Sequence, residues 1–338
     1  MILKIPDKKG KIIGIKEEEP WVEKYRPNSF EEVVSQSIAI NNLKEFALNN
    51  NMPHMIFSGP AGTGKTSTAL IIAKNVIKKQ NYYANVLELN ASDTVRMAYV
   101  RSVIKRFVNQ NLLLKDNTLK FIILDEADNI PTQVQQALRR IIEKASGNVK
   151  FILLCNYINR IIDPIVSRCA VFRFTYLTKK KIVERLRFIA DKEKLQIPQT
   201  QANKFFDTLF FISGGDLRKA INTLQMSVAL ELIDKLDINE ILKISGFLDE
   251  KTLEKLMDAI KAKDIDEVKR LFDTIENLDS RNFIRQIIER INDLSIQSNE
   301  YNNLMAFFGD VDYRISQGAD DKIQIIALIG QLIRNVNL

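Results

Sequence analysis

Between residues 52 and 174, short apolar and β-branched runs alternate with segments of helical period. The runs predict strands over 52–58, 85–89, 121–125, 150–155 and 171–174, and apolar residues at i, i+3, i+4 predict helices over 65–79, 97–109 and 132–145. That alternation implies an α/β fold, a parallel sheet covered by helices on both faces. Ligands on such sheets bind at the carboxyl ends of the strands. After residue 174 the strand signals stop. Segments 177–191, 201–212 and 216–233 have helical spacing and read as a small helical unit, and the chain from about 238 onward is helical again. There Leu253, Leu256, Ile260, Val268 and Leu271 form one apolar set and Phe283, Ile284, Ile287, Ile288 and Ile291 another, both ordinary core faces.

Length adds that 338 residues exceed one ordinary core and suit two or three domains. No run approaches the roughly 18 to 20 apolar residues of a membrane span, and the first twenty residues lack the apolar region of a secretory signal. Cys155 and Cys169 are the only cysteines. They are too few for a disulfide framework or a four-thiolate zinc site, so a reducing compartment is expected. His54 has no second histidine with which to ligate a metal. The net charge of +7 is uneven: residues 1–230 hold 35 Lys and Arg against 21 Asp and Glu, a net of +14, and residues 231–338 hold 14 against 21, a net of −7. Either only the front two-thirds meets a polyanion, or the surface charge varies by chance.

The run Gly59-Pro60-Ala61-Gly62-Thr63-Gly64-Lys65-Thr66-Ser67 follows an apolar strand and opens a helix. Phosphates need converging backbone N–H groups, and glycines let the chain turn around them. The helix start adds positive potential. Lys65 supplies charge for the β- and γ-phosphates and Thr66 a hydroxyl for Mg²⁺. Phe121-Ile122-Ile123-Leu124-Asp125-Glu126-Ala127-Asp128 is a buried strand ending in acids at the ligand edge. Asp125 would hold Mg²⁺ through water and Glu126 would polarise the attacking water. Together the two motifs indicate ATP hydrolysis.

Pro20-Trp21-Val22-Glu23-Lys24-Tyr25-Arg26-Pro27, followed by Phe30, Val33 and Val34, resembles the signature that precedes the nucleotide site in replication factor C small subunits, clamp loaders of the AAA+ superfamily. The resemblance places Tyr25, Arg26, Val33 and Val34 beside adenine and phosphates. Gln135-Gln136-Ala137-Leu138-Arg139-Arg140 is similar to the family's central helix. Its pattern buries Val134, Ala137, Leu138, Ile141 and Ile142, leaving Arg139 and Arg140 toward the nucleotide edge or toward solvent. Asn156 matches the family's first sensor. Ser167-Arg168-Cys169 matches the triplet whose arginine reaches a neighbouring subunit's ATP, so Arg168 is implied to act in trans. Gly214-Gly215-Asp216-Leu217-Arg218-Lys219-Ala220 resembles the second sensor, with Arg218 reaching the γ-phosphate.

Asn90-Ala91-Ser92-Asp93 also matches, but Thr94-Val95-Arg96 stands where family members continue Asp/Glu-Arg-Gly. Arg96 and Arg101 are the substitutes for the missing phosphate contact, which needs charge within reach rather than one fixed geometry. Ile104, Phe107 and Val108 share one helical stripe, which is either a core face or the family's clamp contact. The resemblance implies an extension over 1–19, a nucleotide-binding domain over 20–175, a helical lid over 176–234 and a helical collar over 235–338. It implies ATP and Mg²⁺ without zinc, and a hetero-pentamer with a large subunit and small-subunit paralogues. Its further partners would be a sliding clamp and primer–template DNA, with no membrane, in the nucleus or at a viral replication site. The rivals are another AAA+ motor, such as a branch-migration helicase or an unfoldase, and a ring scaffold that binds ATP without hydrolysing it.

Overall fold

The computed structural model describes residues 2–6, 12–16, 19–49, 52–77, 81–91, 102–109, 119–145, 147–275, 278–294 and 296–336. The chain divides into two compact units, one of Met1–Leu195 with Ser213–Asn222 and the other of Gln196–Ile212 with Thr223–Leu338.

The first unit is built on a sheet of order β4-β5-β6-β3-β7, formed by β3 (His54–Ser58), β4 (Val86–Asn90), β5 (Lys120–Asp125), β6 (Val149–Cys155) and β7 (Cys169–Arg173). All four pairings are parallel. Each strand falls within two residues of its expected start, and among the described residues no strand follows Arg173. The central strands are apolar at nearly every position because both faces are covered. Met55, Phe57, Phe121, Ile123, Ile152 and Leu154 join the core on one face, with Ala69, Ile72 and Ala73 of the helix Lys65–Val76. Ile56, Ile122, Leu124, Phe151 and Leu153 join the other, with Leu138, Ile141 and Ile142 of the helix Thr132–Lys144. Successive strand residues thus serve opposite faces.

Besides single turns such as Trp21–Lys24 and Asp163–Val166, a helix and a ribbon were not expected from the sequence. The helix Ser37–Asn49 packs Ala39, Ile40 and Leu43 on the first core. An antiparallel ribbon, β1 (Ile2–Pro6) with β2 (Ile12–Lys16), lies in the N-terminal extension. The predicted helix over 97–109 is described from 102 to 109.

The second unit is helical, and its core draws on Leu256, Ile260, Phe283, Ile287, Leu328 and Leu332. Asp237, Asp249, Asp264, Asp279 and Asp320 each cap a helix by accepting the backbone N–H three residues on. Part of the acidity of residues 231–338 is therefore capping, which satisfies helix-end donors. Among the described residues no helix is long and apolar enough to cross a membrane.

His54 illustrates how the sheet start is closed. Its Nδ1 accepts the Phe151 N–H at 3.1 Å and its ring stands edge-on to Phe151. Burial, reinforced by Lys150, pushes the imidazole down to about 4 from 6.5. Below pH 6.5 the unfolded chain binds a proton that the folded chain refuses, so stability falls from pH 6.5 towards pH 4. Discounted for the residue's half-buried position, the loss should be about 2 kcal/mol. Urea titrations of wild type and His54→Gln over this range should diverge by that amount, and parallel curves would exclude the effect.

Candidate active site

The phosphate loop turns from β3 into the helix Lys65–Val76. Gly62 has φ +67, and a Cβ there would lie 1.7 Å from Asp216 Oδ1. Gly59 has φ +151, and its Cβ would lie 2.0 Å from the Phe174 carbonyl oxygen. Both positions exclude side chains on conformational and steric grounds.

Lys65 is buried, its Nζ donating to the carbonyls of Gly59 at 2.6 Å and Pro60 at 2.7 Å and to Asn156 Oδ1 at 3.0 Å. Burial pulls its ammonium below the ordinary range, and the Asp125 carboxylate opposes that shift. Thr66 Oγ1 donates to Asp125 Oδ2 at 2.9 Å. These hard oxygens at the loop fit Mg²⁺, which takes one or two protein oxygens besides water and substrate phosphates. The ion would supply charge for the phosphate oxygens. Glu126 follows in a left-handed conformation, φ 54, with its N–H on Asp125 Oδ1 at 2.8 Å and its Oε2 accepting from Asn129 at 3.2 Å.

One pocket is lined by Tyr25, Arg26, Val33, Val34, Ala61, Gly62, Thr63, Gly64, Lys65, Thr66, Ser67, Asp125, Glu126, Asn156 and Arg218. The sequence reading missed Val22, Pro27, Leu177, Arg185, Leu217 and Ile221, which complete the wall. Arg185 Nη2 donates to the Tyr25 carbonyl at 2.8 Å, and the Tyr25 hydroxyl donates to Glu193 at 2.6 Å. Burial and the Glu193 bond push that phenol up to about 12. Tyr25 is thereby fastened to the helix Lys179–Lys192 through its backbone and to the residue after it through its ring.

Two further residues escaped the sequence reading because their partners are distant in the chain. Asp128, buried, accepts the N–H groups of Asn156 and Tyr157 at 3.1 Å each and so fixes the turn that carries Asn156. Gln135, also buried, donates to the Ile130 and Arg160 carbonyls and accepts the Ile162 N–H, all at 2.9 Å. It takes the core place that periodicity assigned to Val134 and Ala137, which are only half-buried.

Arg168 is exposed and does not line the pocket. Burial pushes the Cys155 thiol up to about 11 and Cys169 up to about 12, so neither is a nucleophile at neutral pH. Arg96 and Arg101 lie outside the described residues. Ile104 and Val108 are buried in the core, so their side chains are not open to a partner; of that stripe only Phe107 is half-open, its ring 5.0 Å from Lys120 Nζ.

A phosphate loop after β3, paired acids at the end of β5 and a polar amide after β6, the strand between them, lie at one edge of a parallel sheet and define an ATPase of the AAA class. Residues 55–176 match the ATPase family associated with various cellular activities (AAA), and residues 248–331 match the replication factor C C-terminal domain. The chain is 38% identical over 325 residues to the replication factor C small subunit of Sulfurisphaera tokodaii, covering 95% of this chain and 97% of that protein. It is also 38% identical over 322 residues to the small subunit of Saccharolobus solfataricus, covering 94% of each. It belongs to the replication factor C small-subunit family. Among solved structures, a point mutant of Thermotoga maritima RuvB aligns with TM-score 0.52 and 19% identity over 71% of this chain and 80% of that one, a likeness of fold alone.

Proposed function

We propose that this chain is an ATP-hydrolysing subunit of a clamp loader, which opens a sliding clamp and places it on primer–template DNA. The observation that supports this most is likeness to replication factor C small subunits over nearly the whole chain, ATPase and C-terminal parts together. Residues 20–175 act as the nucleotide-binding domain, 176–234 as a lid and 235–338 as a collar within a hetero-pentamer of one large subunit and small-subunit paralogues.

ATP binds with Lys65 on its phosphates and with Tyr25, Arg26, Val33 and Val34 beside its adenine and phosphates. Thr66 and Asp125 hold Mg²⁺, Glu126 polarises the attacking water, Asn156 orients it, and Arg218 senses the γ-phosphate. Arg168 serves the neighbouring subunit's ATP. Arg96 and Arg101 contact DNA phosphates, and losing both should reduce the salt slope of DNA binding by about two. ATP-driven assembly grips clamp and DNA, hydrolysis releases them, and the site of action is the nucleus or a viral replication site. The intact pair Glu126 and Asn156 speaks against a non-hydrolysing scaffold.

Native mass spectrometry of the complex purified through this chain tests the reading. A hetero-pentamer containing one larger subunit is expected. A homohexamer would assign the chain to the translocating motors that share its fold.

A further inference from the structure

Glu143 sits in the last turns of the helix Thr132–Lys144, and two guanidinium groups converge on one of its oxygens. Arg139 Nε meets Oε1 at 2.9 Å from one turn earlier in the helix, and Arg168 Nη2 meets it at 2.7 Å from the far side of β6 in the sequence. Arg168 Nη1 also donates to the Pro164 carbonyl at 2.6 Å. A guanidinium carries five N–H donors in a rigid plane. Arg168 Nη1 also lies 3.4 Å from the Ser167 hydroxyl, so the ion pair with Glu143 and these bonds hold the guanidinium from two sides. The Arg168 side chain is 37% open to solvent and Glu143 32%.

We propose that Glu143 is the positioning residue of Arg168, holding the guanidinium at the angle from which it engages a neighbouring subunit's ATP. This rests on the reading of Arg168 as a donor in trans. An ion pair this open contributes little to stability, so the cluster is poorly explained as a device for holding the fold together. Its effect is on order. Arginine is a long side chain with many rotamers, and a charge needed only in the transition state acts best when already oriented. The shared oxygen also offsets repulsion between Arg139 and Arg168, two like charges that would otherwise face each other across the end of the helix. Arg139 closes the cluster from behind, so that Glu143 itself is held in one rotamer by a partner one helical turn away. Glu143 touches no substrate in this arrangement and acts only through Arg168.

The test uses the assembled complex with clamp and primed DNA, and four variants of this chain: Glu143→Gln, Glu143→Asp, Arg168→Ala, and Glu143→Gln combined with Arg168→Ala. Glu143→Gln is expected to lower kcat about tenfold, because a misaimed group loses rate rather than binding. KM for ATP, the melting midpoint and the pentameric state should stay as in wild type. Glu143→Asp, which keeps the charge on a shorter stem, should recover part of the rate. In the Arg168→Ala background the further change to Gln should cost nothing, since the two residues act as one unit. If Arg168→Ala loses rate and Glu143→Gln does not, the positioning role is wrong while the trans reading stands. If the two losses multiply in the double variant, or if Glu143→Gln breaks up the pentamer, Glu143 works by another route and the inference is overturned. If Arg168→Ala itself keeps full rate, the trans reading falls and the positioning role with it.

Discussion

Glu126→Gln is expected to lower steady-state ATP hydrolysis by the assembled complex about 10²- to 10³-fold while ATP still binds, the size of effect that follows removal of a general base. The geometry explains why binding should survive. Lys65, Thr66 and the loop backbone form the phosphate cradle, and Glu126 stands outside it, in a left-handed turn after Asp125. Gln keeps the side-chain length and can still accept the hydrogen bond from Asn129, so the local turn should persist. A filter-binding measurement of ATP affinity beside a turnover assay separates the two effects. Loss of both together would mean that Glu126 is structural, and unchanged turnover would revive the scaffold reading.

Arg168→Ala is expected to cost at least about 10³-fold in the turnover of the ATP site that it serves, the range found for arginine fingers. ATP affinity in the variant's own pocket should be unaltered, because Arg168 does not line it. Complexes that carry Arg168→Ala in one subunit and a disabled phosphate loop in its neighbours separate the two locations. The loss should appear at the adjacent site. A loss confined to the variant's own pocket would place Arg168 in cis and change the assembly model.

The sheet and its ligand edge were legible because their signals are local. β3 and β5 are runs of apolar residues followed by Gly59 and ending at Asp125, so period and punctuation brought the loop and the acids to one edge, whereas Asn156, just after β6, was singled out by the family resemblance. Asp128 and Gln135 were not legible. Each is a polar residue bonded to backbone groups far along the chain, Asp128 to Asn156 and Tyr157 and Gln135 to Arg160 and Ile162, and nothing in its neighbours' spacing announces that. The stripe of Ile104 and Val108 was ambiguous for a different reason: a core and a partner both demand apolar residues, and only the packed sheet shows which of them receives the side chains. The helix Ser37–Asn49 could have been found from Ala39, Ile40, Leu43, Phe46 and Ala47, a regular apolar face that the Pro-punctuated signature before it obscured. The pairing of Arg139 and Arg168 on Glu143 needed coordinates, since sequence spacing gives only the half that lies within one helix.

Hydrolysis at this pocket is expected to be coupled to a clamp and primed DNA. The most direct measurement is steady-state ATP hydrolysis by the complex purified through this chain, alone, with clamp, and with clamp plus primed DNA. Strong stimulation by the two together is expected, lost when Arg168→Ala is introduced. Hydrolysis indifferent to clamp and DNA, from a homomeric assembly, would contradict it and leave an AAA ATPase with a different task.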